Sequence, residues 1–337
     1  MKITHPWNKT TLACSLAVLA LAGQMPKGAQ AAPAPKAVVV VRHGEDLSAW
    51  ATTRAQVNPA WTDGAAGNPA LPAVAPGWPN YALPNGTTIT LQQHGLSPAG
   101  ETQARFLGRN LPVIVAAFGC AEISRVVTKR PYGLNEKNKA VTPNPFDTLY
   151  PFISSEAFKA KGGDVVLINP GKGANPILDE GLVKMLNPDA APKDSILEGT
   201  SGSTVLCWDA EGLWGEKNAE DARPFDKNSI LSIMAGPALG AYIRRMDAEL
   251  GGGCPGKAAR IYVFVGREGT GPGTKVPQKY DCIIVDVLDP NQTNLDYALE
   301  ITARLRVDEK TQNMRIMWPE VGGRDPWKPL PPPTPAP

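Results

Sequence analysis

Histidine is scarce in this chain: three of 337 residues, His5, His43 and His94. No Cys-x-x-Cys pair accompanies them, so a structural or catalytic zinc site of the usual His/Cys type is excluded. Charge of one sign is also lacking. The formal net charge is +2 and no basic block occurs, which leaves no concentrated positive face for nucleic acid. After the first two dozen residues no apolar run is long enough to cross a membrane. Acidic residues are absent before Glu45, and that absence carries information. Lys2 and Lys9 precede an apolar run from Leu12 to Ala22, and Ala29-Gln30-Ala31 follows with small residues where a signal peptidase reads them. The pattern is that of a secretory signal peptide over residues 1–31, cleaved near Ala31, with a periplasmic or secreted destination. Cys14 lies within the apolar run, too early for a lipoprotein anchor.

What is present is a core. Apolar residues make up 42% of the chain, so the roughly 300 residues after the leader suit one large α/β domain. Cys120, Cys207, Cys254 and Cys282 follow the leader, an even number that in an oxidising compartment permits two disulfides in any of three pairings. Buried free thiols are the alternative.

Residues 32–36 form a Pro/Ala linker, and Ala37–Val41 is a β-branched run expected to be a strand buried on both faces. Residues 46–93 are rich in Pro and Gly and hold Trp61, Trp78 and Tyr81, as expected of a long lid or substrate-binding insertion. Ser97 and Pro98 open a helix whose apolar stripe is Ala104, Phe106, Leu107 and Leu111. Further strands are expected at 123–127, 164–168, 229–233, 261–265 and 282–288. A helix is expected over 237–250, ended by Gly251, and a hairpin over 300–318. Strands alternating with helices imply an α/β fold over 37–320 with a mostly parallel central sheet. The tail from Pro329 to Pro337 is proline-rich and expected to be unstructured.

Chemistry concentrates where the first strand ends, at Arg42-His43-Gly44-Glu45. In open α/β sheets ligands bind beyond the carboxyl ends of strands. There an imidazole can attack phosphorus and form a covalent intermediate, and a guanidinium can hold two phosphoryl oxygens. Glu45 is a candidate general acid beside the nucleophile, with a structural carboxylate as the alternative.

Val38 to Glu45 (VVVVRHGE), followed by Leu96 to Gly108 (LSPAGETQARFLG), resembles the histidine phosphatase (phosphoglycerate mutase-like) superfamily. Leu96-Ser97, Gly100 and Gln103-Ala104 match that family's next helix in order and spacing, and Lys279-Tyr280-Asp281 resembles a later segment. The resemblance covers residues 37–111 and thins beyond. It implies a three-layer α/β/α sandwich, His43 as the phosphorylated residue and Arg42 as a phosphate clamp. It also implies a second histidine after a later strand. One alignment puts Ala235 there and a rival puts Arg267, a permanent cation. The family's second arginine falls on Asn144, with Lys129-Arg130 able to supply the charge and Arg130 the candidate phosphate ligand. His94, Asp179 and Glu180 are further acid candidates.

Pro170 to Gly173 and Gly269 to Lys275 lack the residue order of a phosphate-binding loop. The resulting expectation is a phosphohydrolase of a small phosphorylated substrate, needing neither cofactor nor metal. The alternative is a catalytically degenerate relative that binds a phosphorylated ligand or a protein partner.

Overall fold

The computed structural model describes residues 34–45, 80–82, 88–90, 96–131, 143–168, 180–186, 195–197, 199–209, 212–213, 229–235, 240, 243, 257–266, 280–289, 297–307, 314–317 and 327–329. All of them lie in the unit Ala34–Pro337. The elements in chain order are β1 (Ala37–Arg42), β2 (Asn80–Ala82), β3 (Thr88–Thr90), α1 (Pro98–Ala117), β4 (Ile123–Lys129), α2 (Asn144–Ile153) and α3 (Glu156–Ala160). There follow β5 (Asp164–Ile168), α4 (Glu180–Leu186), β6 (Ser203–Trp208), β7 (Lys257–Gly266), β8 (Tyr280–Leu288), β9 (Ala298–Val307), β10 (Met314–Met317) and β11 (Trp327–Pro329).

The valine run dictates the centre of the molecule. Successive strand side chains point to opposite faces, so a strand apolar at every position must be covered twice. Val38 and Val40 pack with Leu206, Tyr262 and Phe264 on one face. Ala37, Val39 and Val41 pack with Leu107, Leu111, Phe146 and Leu149 on the other. The nine-stranded sheet runs β11-β10-β9-β8-β7-β1-β6-β4-β5, with β2 and β3 pairing separately inside the 46–93 segment.

This is an α/β fold with a mixed sheet. The pairs β1 with β6, β6 with β4 and β4 with β5 are parallel, in line with the mostly parallel central sheet expected. From β7 onward every pairing is antiparallel, the pairing of β7 with β1 included. Arg260 on β7 makes an ion pair of 2.7 Å with the buried Asp286 on β8, and Thr302 on β9 donates to the same carboxylate at 2.7 Å. One carboxylate thereby ties three strands in a single register.

Several expectations change. The Ser229–Ile233 segment is helical rather than a strand, since residues 230–235 form helix. Ser229 explains it: its hydroxyl accepts from the Ser232 amide at 3.1 Å and its carbonyl from the Ile233 amide at 2.9 Å, a helix N-cap. Ile230, Leu231, Met234 and Ala235 then share a buried face at helical spacing. Strand β6, buried at every position, is an addition. Helix α1 begins where Ser97 and Pro98 require it and continues to Ala117. The hairpin is present as β9 and β10. Pro329 belongs to edge strand β11 rather than to the tail, and residues 330–337 lie outside the described residues. A sheet edge is where a proline, lacking an N–H, is tolerated. Of the expected 237–250 helix only Gly240 and Ile243 are described, both helical. Among the described residues no helix is long and apolar enough to cross a membrane.

Two disulfides do not form, because Cys120, Cys207 and Cys282 are all free and buried. Cys207 packs on the face of Val39, and Cys282 on the opposite face with Val40, so the sheet itself separates those two. Cys254 lies outside the described residues. Burial pushes the Cys120 thiol up to about 11, and raises Cys207 and Cys282 as well. A thiolate is the reactive species, so none of the three should react with an aromatic disulfide reagent at pH 8 until the protein is unfolded in guanidinium. Rapid labelling of any of them in the folded protein would contradict this packing. The linkage has a definite sign. Each thiol ionises more easily in the unfolded chain, so its contribution to stability is intact below about pH 9 and declines as pH climbs from there toward the folded value.

Candidate functional site

The site is built where three parallel strands end side by side. Strand β1 finishes at Arg42, and the His43 amide extends the ladder by donating to the Trp208 carbonyl at 3.2 Å. Trp208 is the last residue of β6, so Asp209 emerges next to His43. On the far side of β6, Thr128 is in register with Cys207, which places Lys129 and Arg130 at the same edge.

The Gly44-Glu45 turn is fixed from both sides. The Gly44 amide donates to Thr148 Oγ1 at 2.8 Å, and Thr148 in turn donates to the Asn144 carbonyl within α2 at 2.7 Å. The Glu45 amide donates to Gln103 Oε1 at 3.1 Å, and the Glu45 carbonyl accepts from the Ser97 amide at 2.9 Å. Ser97 Oγ accepts from the Gly100 amide at 3.0 Å and donates to Glu45 Oε1 at 3.1 Å. Glu45, a candidate acid by sequence, is thus bonded to the helix start. Gly100 is required for the approach: a Cβ there would run into the Glu45 carbonyl oxygen, and one on Gly44 would come within 2.9 Å of the Gly100 carbonyl. Ser97, Gly100 and Gln103, which the family pattern singles out, each act on the same turn.

His43 is held in one tautomer. Its Nδ1 lies 2.6 Å from the Gly44 carbonyl, which only accepts, so Nδ1 carries the hydrogen and Nε2 holds the lone pair of the neutral ring. Nε2 faces Asp209 Oδ1 at 4.0 Å, with the His43 side chain 8% exposed and that of Asp209 26%. Asp209 Oδ2 pairs with Lys129 Nζ at 2.6 Å. Arg42 is exposed at the strand end.

The structure unites some expected residues and separates others. Arg42, His43, Lys129 and Arg130 share the strand-end edge. Arg130 stands two strand spacings from His43, about 10 Å, with its amide bonded to the Ile168 carbonyl at 2.7 Å. Ala235, one candidate for the place of the second histidine, is buried in a helical core turn and follows no strand. Arg267, the other, lies outside the described residues. Its chain neighbour Gly266 bonds to the Lys36 carbonyl at the opposite end of β1, because β7 runs antiparallel to β1. Tyr280 and Asp281 open β8 at that same opposite end.

Asp209 faces His43 at the strand ends, and sequence reasoning missed it together with β6. The available signal was the run Thr204 to Trp208 closing on an acid, the pattern that also ends β1 on a charged residue.

Asn144, in the slot of the second arginine, is the first residue of α2 and only 6% exposed. Its Oδ1 and the Oγ1 of Thr128 are buried without a hydrogen-bond partner among the described residues. His94 and Asp179 lie outside the described residues; Glu180 opens α4. No metal-ligating group of three His, Cys, Asp or Glu occurs among the described residues. Comparison of the chain with models of known families, with curated proteins and with solved structures found no match.

Proposed function

We propose that this chain is an exported phosphohydrolase of the histidine phosphatase type, acting on a small phosphorylated substrate through a phosphohistidine at His43. The observation that carries the proposal is the fixed tautomer. With Nδ1 donating to Gly44, Nε2 is left as the nucleophile, at the strand end where an α/β sheet binds its ligands. Arg42 beside it acts as the phosphate clamp, and the Lys129-Arg130 pair supplies further positive charge. The coverage of β1 on both faces supports a three-layer α/β/α sandwich. Export rests on the leader with its Ala29-Gln30-Ala31 site.

The second reading is a degenerate relative that binds phosphate without turnover. Asn144 favours it, an amide in the slot where the family pattern has a guanidinium to stabilise transferred charge, and neither position aligned with the second histidine, Ala235 or Arg267, is an imidazole. Losing one preorganised donor of that kind typically costs about 10²–10³ in rate.

The test is direct. The mature protein is incubated with 4-nitrophenyl phosphate, denatured in alkali and searched by mass spectrometry for phosphate on His43. Nitrophenol release with phosphorylated His43 is the expected result. Vanadate binding without release or phosphohistidine would establish the degenerate reading instead.

A further inference from the structure

We infer that Thr148 on α2 and Gln103 on α1 are positioning residues: by clamping the peptide planes on either side of Gly44 they set the tautomer of His43. Only the catalytic consequence of this inference rests on the phosphohistidine reading. The tautomer itself is a property of the folded chain.

The Gly44 carbonyl takes the hydrogen of His43 Nδ1 at 2.6 Å, so its direction decides which ring nitrogen is protonated. That direction depends on the backbone torsions of a glycine, the residue with the most torsional freedom. A glycine does not hold it unaided. Thr148 holds the peptide before Gly44, whose amide donates to Thr148 Oγ1 at 2.8 Å. The hydroxyl hydrogen is committed to the Asn144 carbonyl at 2.7 Å, so the oxygen meets Gly44 as an acceptor. Gln103 holds the peptide after Gly44, its Oε1 accepting from the Glu45 amide at 3.1 Å. That second peptide contains the carbonyl to which Nδ1 donates.

Gly44 and both clamps are buried, Thr148 at 0% exposed and Gln103 at 5%. Removing either polar atom therefore leaves a buried amide without its acceptor, and the turn must shift to relieve it. The helices that carry the clamps also fix each other. A Cβ on Gly108 of α1 would stand 2.9 Å from Pro151 Cβ of α2. Across the ring Asp209 Oδ1 is the competing acceptor, 4.0 Å from Nε2. The carbonyl at 2.6 Å prevails while the clamps hold. Once it turns away, the ring hydrogen is taken at Nε2, facing Asp209, and the lone pair passes to Nδ1. The ring then presents an N–H where phosphorus must bond.

The experiment reads the tautomer directly. Mature protein carrying ¹⁵N-labelled histidine is studied by NMR at about pH 8.5, roughly two units above the ordinary imidazole value. The His43 signals are those that vanish in His43→Ala. Wild type should show Nδ1 protonated. Thr148→Val and Gln103→Leu should shift His43 toward the Nε2-protonated form, and Thr148→Ser, which keeps the hydroxyl, should restore the wild-type tautomer. On 4-nitrophenyl phosphate, Thr148→Val should lose about 10² in kcat, the scale of a misplaced reacting group. KM should stay nearly unchanged because Arg42 is untouched, and Thr148→Ser should recover the rate.

A His43 that stays Nδ1-protonated in folded Thr148→Val and Gln103→Leu would overturn the inference. So would a Thr148→Ser protein with the tautomer of Thr148→Val. Gln103→Leu decides alone if Thr148→Val fails to fold. If the NMR result is as expected but wild type releases no nitrophenol, the clamps stand and the functional proposal fails.

Discussion

His43→Ala protein is expected to lose phosphate-ester turnover by at least about 10⁴-fold, the scale on which covalent mechanisms fail when the nucleophile is removed. The substitution leaves the scaffold of the site in place. The Gly44 amide keeps Thr148, the Glu45 amide keeps Gln103, and the Asp209–Lys129 pair is independent of the imidazole. The main chain of residue 43 still bonds to Trp208. Circular dichroism and the thermal unfolding midpoint should therefore stay close to wild type while nitrophenol release disappears. Vanadate should still bind, since Arg42 remains. Turnover surviving in His43→Ala would exclude phosphohistidine chemistry at this position.

Gly100→Ala should be among the most destabilising single-methyl additions available in the molecule. A Cβ at this position meets the Glu45 carbonyl oxygen, with the Glu45 amide nitrogen next nearest at 3.0 Å. These are backbone atoms, so no rotamer change relieves the clash. Relief requires the Gly44-Glu45 turn to lift from α1, which costs the Ser97-to-Glu45 and Glu45-to-Gln103 bonds. Overpacking a tight interior commonly costs about 1–3 kcal/mol, and a backbone clash belongs at or above the top of that range. The thermal midpoint should fall by about 6 °C or more. Activity should fall further than stability accounts for, because the displaced turn carries the carbonyl that fixes the His43 tautomer. A midpoint within a degree of wild type would mean that α1 and the turn are not in the contact described.

The parts legible in the sequence were those where local chemistry and tertiary packing agree. Four consecutive valines admit only a doubly covered strand, and Ser97-Pro98 is a helix start on capping grounds alone. Ser229 to Ala235 misled because a short apolar run fits either period. The deciding fact was the Ser229 hydroxyl, the same capping signal, overlooked inside an apolar stretch. Strand β6 stayed hidden behind a Ser/Gly-rich stretch, at only six residues. Missing it removed Asp209 from view. The order β1-β6-β4 joins residues far apart in the chain, and no local pattern announces that Asp209 and Lys129 will meet beside His43. Half of the site, Arg42 and His43, could be read from a motif. The opposing half depended on topology.

The sheet's division into a parallel and an antiparallel half bears on how the protein assembles. Strands β7 to β10 are neighbours in sequence as well as in space, so their pairings close short loops at little entropic cost. On the other side of β1, the Ala37 amide must find the Ser203 hydroxyl 166 residues away. Contacts of such high sequence separation are slow to form. Strand β1 reaches further still to β7, where Ala37 pairs with Val265, so the two seams of β1 are the ones suited to close last. His43 meets Asp209 and Lys129 only when the β1–β6 seam is closed, so a partly folded chain would hold the imidazole without the carboxylate and ammonium beside it.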